Sequence, residues 1–428
     1  MFLDSRSPPI VSQAALSPSA ASCTLSAVPG PSLTVVGIGA DGWPGLTPGG
    51  RAAIRTADVI LAGPRHLDLL PAEVSGRRVP LPSPLLPGLG DLVAQHANAS
   101  LVVLASGDPM FYGIGSTLVR LLGAERVEVV PHSSSVSLAA ARLGWPLDDL
   151  EVVSAVGRPL ESLHPALQPG RRVLVLVSET TATADIRALL TRRGFGPSPV
   201  TVLADLGGPD ESVHAADDTP HSRLAVVAIE CVAETDATPL PRTPGLPDDA
   251  YEQDGQITKY EIRAVALAAL APVPGQLLWD VGAGSGSIGI EWMRTHPASR
   301  AIAIEPRQER IARIARNAAA LGVPGLRIVA GSAPEALCGL PAPQAIFIGG
   351  GVTVEGVVRR CWDALAGGGR LVANAVTIES EHALVCWQRE LGGMLTRIAV
   401  ARADALGSFT TWRPALPVVQ WSVRKEAQ

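Results

Sequence analysis

The sequence is short of lysine. Of its 35 Lys and Arg residues only Lys259 and Lys425 are lysines, so arginine carries nearly all the positive charge. Guanidinium forks grip carboxylates through paired hydrogen bonds, which suits a polycarboxylate substrate, but a GC-rich genome produces the same bias together with alanine and proline. We assign the total to genome composition. A basic surplus is also missing. The net charge is -5, whereas a general nucleic-acid binder carries a basic excess or a basic face. The 5 cysteines (Cys23, Cys231, Cys338, Cys361, Cys386) are odd in number and contain no C-x-x-C spacing. They argue against a zinc site or a disulfide frame and for a reducing compartment. No apolar run reaches the roughly 18 residues that span a bilayer. Residues 1–32, rich in Ser, Pro and Ala, lack a signal-peptide apolar core and read as a disordered tail. A cytoplasmic protein without membrane or nucleic-acid partners is expected.

What is present is enough apolar residue for more than one core. A chain of 428 residues, 47% apolar and 18% charged, is expected to form two or three globular domains. Strand-like runs begin at "LTVVGIG" (33–39) and recur at "DVILAG", "LVVLASG", "VEVVP" and "RRVLVLVS", with helical patterns such as "GIGSTLVRLLG" and "SVSLAAARLG" between them. Such alternation implies β-α units around a mainly parallel sheet, closing with "RLAVVAIECV" (223–232). Residues 234–254, rich in Pro, Asp and Thr, are the linker candidate. Beyond them "TKYEIRAVALAALA" reads as an amphipathic helix with Thr258 as N-cap and Glu261 at the capping-box position. A second β-α series fills 255–428, so the expected architecture is two α/β domains in tandem, 33–233 and 255–428.

The second series opens with "QLLWDVGAGSGSIGIEWMR" (276–294): a buried strand, a glycine-rich turn, and a helix from about Ile288. Gly284, Gly286 and Gly289 satisfy the G-x-G-x-x-G of a dinucleotide site. However, the turn starts earlier, at Gly282, with Asp280 on the strand before it. A methionine-derived cofactor has no pyrophosphate, so the glycines would serve close backbone approach, and Asp280 would lie near the cofactor ammonium. Glu305 closes the next strand about 20 residues on, where an acid accepts from ribose hydroxyls in either kind of site. The motif by itself leaves both cofactors open. In the first half Gly37, Gly39 and Gly42 repeat the literal pattern, but Trp43, Pro44 and Pro48 prevent a helix from opening at the third glycine, and a helix is expected only from Thr47 and Pro48.

Four segments, "DGQITKYEIRAVALAAL", "LLWDVGAGSGSIGIEW", "IFIGGG" and "GGRLVANAVT", resemble in that order the decarboxylating methyltransferase domain of the cobalamin pathway. In the first half "VVGIGADGWPGLTPGG", "ASGDPMFYGIGSTLVRLL", "HSSSVSLAAARLGWP" and "VSAVGRP" resemble the tetrapyrrole methylase family in its precorrin-6Y branch. The resemblance covers about residues 33–425. It implies an N-terminal two-lobed tetrapyrrole methylase fold followed by a Rossmann-like S-adenosylmethionine-dependent methyltransferase domain, a precorrin (tetrapyrrole) substrate and self-association. It also implies S-adenosylmethionine as cofactor of both halves, methylation of two meso carbons and decarboxylation of a ring acetate, with no metal required.

Residue by residue, the resemblance places Gly107, Asp108, Pro109, Phe111, Ser134 and Ser135 at the methyl donor of the first half. Gly37, Gly39, Asp41 and Tyr112 border its tetrapyrrole trough. In the second half it places Thr258, Asp280, Gly282, Ala283, Gly284, Ser285, Gly286, Glu305, Ser332 and Ala333 at the donor. Lys259, Glu261 and Arg263, in and just before the first helix, are candidates to face the cleft as proton donors. Arg307, Arg310, Arg313 and Arg316 recur every three residues and read as a solvated helix face. Tyr112 and Trp145 are weighed as ring-stacking groups against ordinary core packing. Two departures stand out. Ala155 and Val156 occupy the place of a Leu-His pair common in the family, and Ser332 and Ala333 stand where an acid is common. These departures keep a non-catalytic tetrapyrrole carrier in view beside a nicotinamide-dependent oxidoreductase built on the Gly284 turn.

Overall fold

The protein is described by a computed structural model covering residues 33–86, 88–178, 182–217 and 221–427; the tail assigned to 1–32 lies outside the described residues. Among the described residues ten strands form the first half. β1 (Leu33–Ile38), β2 (Val59–Ala62), β3 (Arg77–Pro80), β4 (Leu101–Ser106) and β5 (Val127–Val130) make a sheet in the order β3-β2-β4-β1-β5, parallel throughout. β1 and β4 are nearly continuous apolar runs because both sheet faces are covered, one by a cluster around Leu61, Val103 and Leu118 and the other by one around Ile38, Ile54 and Leu104.

The second lobe departs from the parallel expectation. β6 (Leu150–Ser154), β7 (Arg172–Val177), β8 (Val200–Ala204), β9 (Ser212–Ala215) and β10 (Ala225–Glu230) are ordered β6-β7-β10-β8-β9, and only β6 and β7 run parallel. The last strand, β10, lies in the middle of this sheet, since its two-sided apolar sequence requires cover on both faces. The chain passes between the lobes at Ser133–Ser135, where the helix Ser135–Leu143 begins and packs on the second sheet.

The other half is a seven-stranded sheet. β11 (Leu277–Val281), β12 (Arg300–Glu305), β13 (Arg327–Ala330), β14 (Ala345–Ile348) and β15 (Arg370–Ala375) are parallel in the order β13-β12-β11-β14-β15. β16 (Met394–Ile398) forms the edge, an arm made of β17 (Ala401–Leu406) and β18 (Phe409–Pro414) projects from the sheet, and β19 (Val418–Arg424) runs antiparallel between β15 and β16. An all-parallel dinucleotide sheet has no such inserted strand.

Several expectations are corrected. The helix Tyr260–Leu270 takes Lys259, not Thr258, as its N-cap and has no side-chain cap, because the Thr258 carbonyl accepts from Arg263. A single helical turn does open at the third glycine of the first half (Gly42–Gly45), with the longer helix Pro48–Thr56 capped by Thr47 as expected. The supposed linker is partly core: Leu246 and Tyr251 are buried, and the Gly245 and Leu246 amides donate to Glu291 at 2.6 and 3.1 Å. The arginine ladder is not a free face, since Arg310 and Arg313 reach Asp254 and Arg316 reaches Glu252.

The halves meet through buried and half-buried groups. His164 donates through Nδ1 to the Ala320 carbonyl at 2.8 Å, Arg242 bridges Pro165 and Glu151, and Arg294 donates to Leu240 and Pro241 carbonyls. Burial, with Arg193 nearby, pushes His164 down to about 4, so it is neutral at this seam. Arg263 has a fully buried side chain whose Nε donates to Glu291 at 2.5 Å. Removing one partner of a buried pair leaves the other uncompensated, so Arg263→Met is expected to lower stability by about 3–5 kcal/mol. Denaturant titration followed by the fluorescence of buried Trp279, Trp292 and Trp421 checks this.

Candidate functional site

Two cavities lie at the carboxyl ends of parallel strands, where open α/β sheets place ligands. The first, about 510 Å³, sits between the lobes of the N-terminal half. Of the sequence candidates it brings together Gly39, Gly107, Asp108, Phe111, Tyr112, Ser134 and Ser135. Gly107 holds φ +55, and its amide donates to the Ile38 carbonyl, so the turn after β4 lies across the end of β1. Asp108 Oδ1 accepts from the Met110 amide at 2.8 Å, and Ser134 Oγ accepts from the Ser137 amide at 3.0 Å, so both side chains first shape their own loops. Phe111 and Tyr112 meet edge to face with centroids 4.9 Å apart and are 40% and 48% exposed, which places them at the mouth and not in the core. Trp145 packs against the second-lobe core beneath Arg172.

Gly37, Asp41 and Pro109 do not line this cavity. A β-carbon on Gly37 would meet the Gly107 carbonyl, Asp41 pairs with His132 at 3.4 Å, and Pro109 lies beneath Gly113 and Gly115. The reading from sequence missed Arg65, His66, Ser106, Asp205 and Arg223. His66 Nε2 lies 2.6 Å from Arg65 Nη2 and 2.9 Å from Ser106 Oγ; burial, then the Arg65 charge, pushes it down to about 4. Its signal was "GPRH" at the carboxyl end of β2, a polar pair at the ligand-facing edge of a parallel sheet.

The second cavity, about 710 Å³, opens above β11, β12, β14 and β15. Thr258, Lys259, Glu261, Asp280, Gly282, Ala283, Gly284, Ser285, Glu305, Ser332 and Ala333 all line it, whereas Gly286 and Arg263 do not. Gly286 caps the helix Ser287–Thr295 and faces Ile314, and the Arg263 guanidinium is taken up by Glu291, Asp248 and the Leu246 carbonyl. Lys259 is 3.5 Å from Asp248, and Glu261 pairs with Arg402 from β17.

Gly282 holds φ +71, and a β-carbon there would lie 2.9 Å from the Gly350 amide nitrogen, so only glycine lets the two loops close. Glu305 accepts from the Gly284 amide at 2.9 Å and from the Arg307 amide at 3.2 Å, which pins the glycine turn to the end of β12. Asp280 is 1% exposed and accepts from the Gly289 amide at 3.0 Å. Burial, reinforced by Glu305, pushes its carboxyl up to about 7. Sequence reasoning missed Asn374, Gly349 to Gly351, Arg402 and Leu416 as lining residues. A lone amide inside the apolar strand "RLVANA" was the legible signal for Asn374. The hairpin that carries Arg402 had none.

Residues 32–217 match the family of Tetrapyrrole (Corrin/Porphyrin) Methylases and residues 249–425 the Precorrin methyltransferase domain. The chain is 48% identical over 404 residues to a precorrin-6Y C(5,15)-methyltransferase (decarboxylating) of Sinorhizobium sp, covering 93% of this chain and 98% of that one. The chain belongs to the precorrin-6Y C(5,15)-methyltransferase (decarboxylating) family. It is thus an enzyme, a decarboxylating C-methyltransferase, and the oxidoreductase and carrier readings are not supported. Two shorter relatives each match less than half of it. A cobalt-precorrin-7 C(5)-methyltransferase of Salmonella typhimurium is 34% identical, covering 46% of this chain and 98% of that one. A "Probable cobalt-precorrin-6B C(15)-methyltransferase (decarboxylating)" of Pyrobaculum calidifontis is 36% identical, covering 41% and 93%. Among the described residues no helix is long and apolar enough to cross a membrane.

Asp280 generates a pH prediction. Its folded value near 7 exceeds the unfolded value of about 4, so its contribution to stability is full below pH ~4 and is lost as pH rises through ~7. Asp280→Asn keeps an acceptor for Gly289 and removes this titration. The variant is expected to gain up to about 4 kcal/mol over the unaltered ligand-free chain at pH 8 and little at pH 4. Melting temperatures across that range decide it.

Proposed function

We propose that the chain binds S-adenosylmethionine in both cavities, methylates two meso carbons of a precorrin, and removes carbon dioxide from a ring acetate in the C-terminal one. The observation that carries the reading is Asp280. A buried carboxyl directly beneath the glycine turn suits a ligand that brings a cationic ammonium and opposes one that brings a pyrophosphate. Glu305, also buried, offers acceptor oxygens for ribose hydroxyls beside it. The pair fits the methyl donor as a set, and Ser332 and Ala333 leave the adenine to backbone and hydroxyl contacts.

When bound, the sulfonium supplies an already activated methyl group, so the residues have to position a nucleophilic carbon about 3 Å from it, an orientational contribution of several kcal/mol. In the first cavity Gly107 and Ser133 to Ser135 supply backbone for the donor, and Phe111 and Tyr112 supply aromatic faces at the mouth. Arg65 and Arg223 on the same walls carry the charge to hold macrocycle carboxylates. In the second cavity Lys259 and Glu261 line the wall, where they can hold or move a proton during loss of carbon dioxide. Assigning C5 methylation to the first half and C15 methylation with decarboxylation to the second is supported by the separate relatives that carry those activities alone.

Two backbone substitutions separate the halves. Gly107→Ala forces a β-carbon onto Ser133 and Ser134 at 3.3 Å with φ +55, and Gly282→Ala meets Gly350 at 2.9 Å with φ +71. With precorrin and S-adenosylmethionine, Gly282→Ala is expected to add one methyl and keep every carboxyl, while Gly107→Ala adds one methyl and loses one carboxyl. Product mass spectrometry distinguishes them. An unaltered chain that leaves its tetrapyrrole unchanged in mass sinks the reading.

A further inference from the structure

Arg65, His66 and Ser106 form a triangle on the wall of the 510 Å³ cavity. Ser106 closes β4 and is exposed, while Arg65 and His66 are half-buried in the short helix Pro64–Asp68 that follows β2. Ser106 Oγ lies 2.9 Å from His66 Nε2 and 3.1 Å from Arg65 Nη2, and Arg65 Nη2 lies 2.6 Å from His66 Nε2. A guanidinium only donates, so Nε2 is the unprotonated nitrogen of the ring and the hydrogen sits on Nδ1. Burial and the Arg65 charge hold the imidazole down to about 4, which keeps Nε2 free of a proton at neutral pH. Nε2 is therefore the basic atom of the triangle, and the exposed serine hydroxyl links it to the cavity.

The other titratable groups on these walls have different commitments. Asp108 accepts from the Met110 amide and Asp205 Oδ1 from Ser222 Oγ at 3.0 Å, so both acids are tied to their own loops. Tyr112 Oη donates to the Val152 carbonyl at 3.3 Å, and the guanidinium groups of Arg65 and Arg223 only donate. The serine and histidine pair also stands beside the turn that begins at Gly107. Consecutive Cα atoms are about 3.8 Å apart, so a methyl group held against that turn has the Ser106 hydroxyl close by.

Resting on the function proposed above, we infer that Ser106 and His66 relay away the proton that C5 of the macrocycle loses when it is methylated. Exchange of hydrogen for methyl at an unsaturated meso carbon needs a base. The C5 electron pair forms the new carbon–carbon bond, the methyl–sulfur bond breaks, and the sulfur leaves as a neutral sulfide with that bond's electron pair. The C5–H bond then breaks and its electron pair returns to the conjugated ring. The proton passes to Ser106 Oγ while the serine proton moves to His66 Nε2, and the imidazolium afterwards gives it to water. Arg65 couples this step to substrate seating. Its charge opposes the imidazolium, and a macrocycle carboxylate resting on it offsets that charge, so the base strengthens once the substrate is in place. No oxidant or reductant is consumed.

The test uses the full chain with S-adenosylmethionine and precorrin carrying hydrogen or deuterium at C5, reading product mass over time beside donor binding by calorimetry and the melting temperature. His66→Gln keeps an acceptor for Arg65 but takes up no proton, His66→Ala leaves room for free imidazole, and Ser106→Ala removes only an exposed hydroxyl. Each variant is expected to slow addition of the C5 methyl by about tenfold or more, with decarboxylation by the same chain, donor binding and melting unaltered. Deuterium at C5 slows the variants further, and added imidazole restores His66→Ala. C5 methylation at the unaltered rate in a folded His66→Gln or Ser106→Ala overturns the inference. So does a slowed step with neither a deuterium effect nor rescue by imidazole, the outcome of a purely structural role. An unaltered chain that adds no methyl group overturns the parent reading as well, so the two failures are distinguishable.

Discussion

Glu291 is the constraint on which the C-terminal site depends. Its carboxylate sits in the helix that follows the glycine turn, 2% exposed, and accepts from the Gly245 and Leu246 amides, Tyr251 Oη and Arg263 Nε. A buried carboxylate is tolerable only when its lone pairs are met, and four donors meet them here. Those donors come from the 240–254 strap and from the helix Tyr260–Leu270, so one group fixes the strap, the cavity wall that carries Lys259 and Glu261, and the helix below the glycine turn. Asn317 adds a second tie, bonding the Glu252 backbone on one side and the Ser285 carbonyl on the other. The Tyr251 phenol is pushed well above its usual range by burial and by Glu291, and so acts as a fixed donor.

The strap also explains how two folds form one molecule. It leaves the second lobe at Cys231, passes Arg242 against Pro165 and Glu151, and enters the C-terminal core at Leu246. His164, held neutral by burial, places a hydrogen bond and not a charge at the seam. The two cavities then differ in character. The first is formed where the chain crosses between lobes and carries Arg65 and Arg223 on its walls. The second is lined by the buried carboxyls Asp280 and Glu305, by apolar side chains such as Phe347, Val354 and Leu416, and by the ion-paired Lys259 and Glu261.

Much of this architecture was legible before any coordinate. Apolar runs of strand length separated by helical periods announce parallel α/β layers, since period and burial are local properties of a segment. The turn Gly282 to Gly286, the acid at the end of β12 and the polar turn at Gly107 were readable because a tight backbone approach demands particular residues at fixed offsets. Thr258 and Arg263 misled for a shared reason. A cap or a cleft-facing charge was inferred from helix position, whereas a buried carboxylate 28 residues further on, Glu291, drew the guanidinium inward. The mixed order of the second lobe was equally hidden, because a strand sequence does not state which neighbour it will pair with.

By itself the sequence determined the two-domain α/β layout, the glycine turns and the carboxyls Asp280 and Glu305, all of which follow from patterns within about 30 residues. Tertiary structure decided the rest: the neutral His66 beside Arg65, the Asn374 and Gln420 amides paired across β15 and β19, the Arg402 to Glu261 closure from a distant hairpin, and the strap locked by Glu291. The physical reason is that burial and hydrogen-bond partnership, which set charge state and availability, arise from groups brought together across 40 to 141 residues of chain and leave no mark on the local pattern.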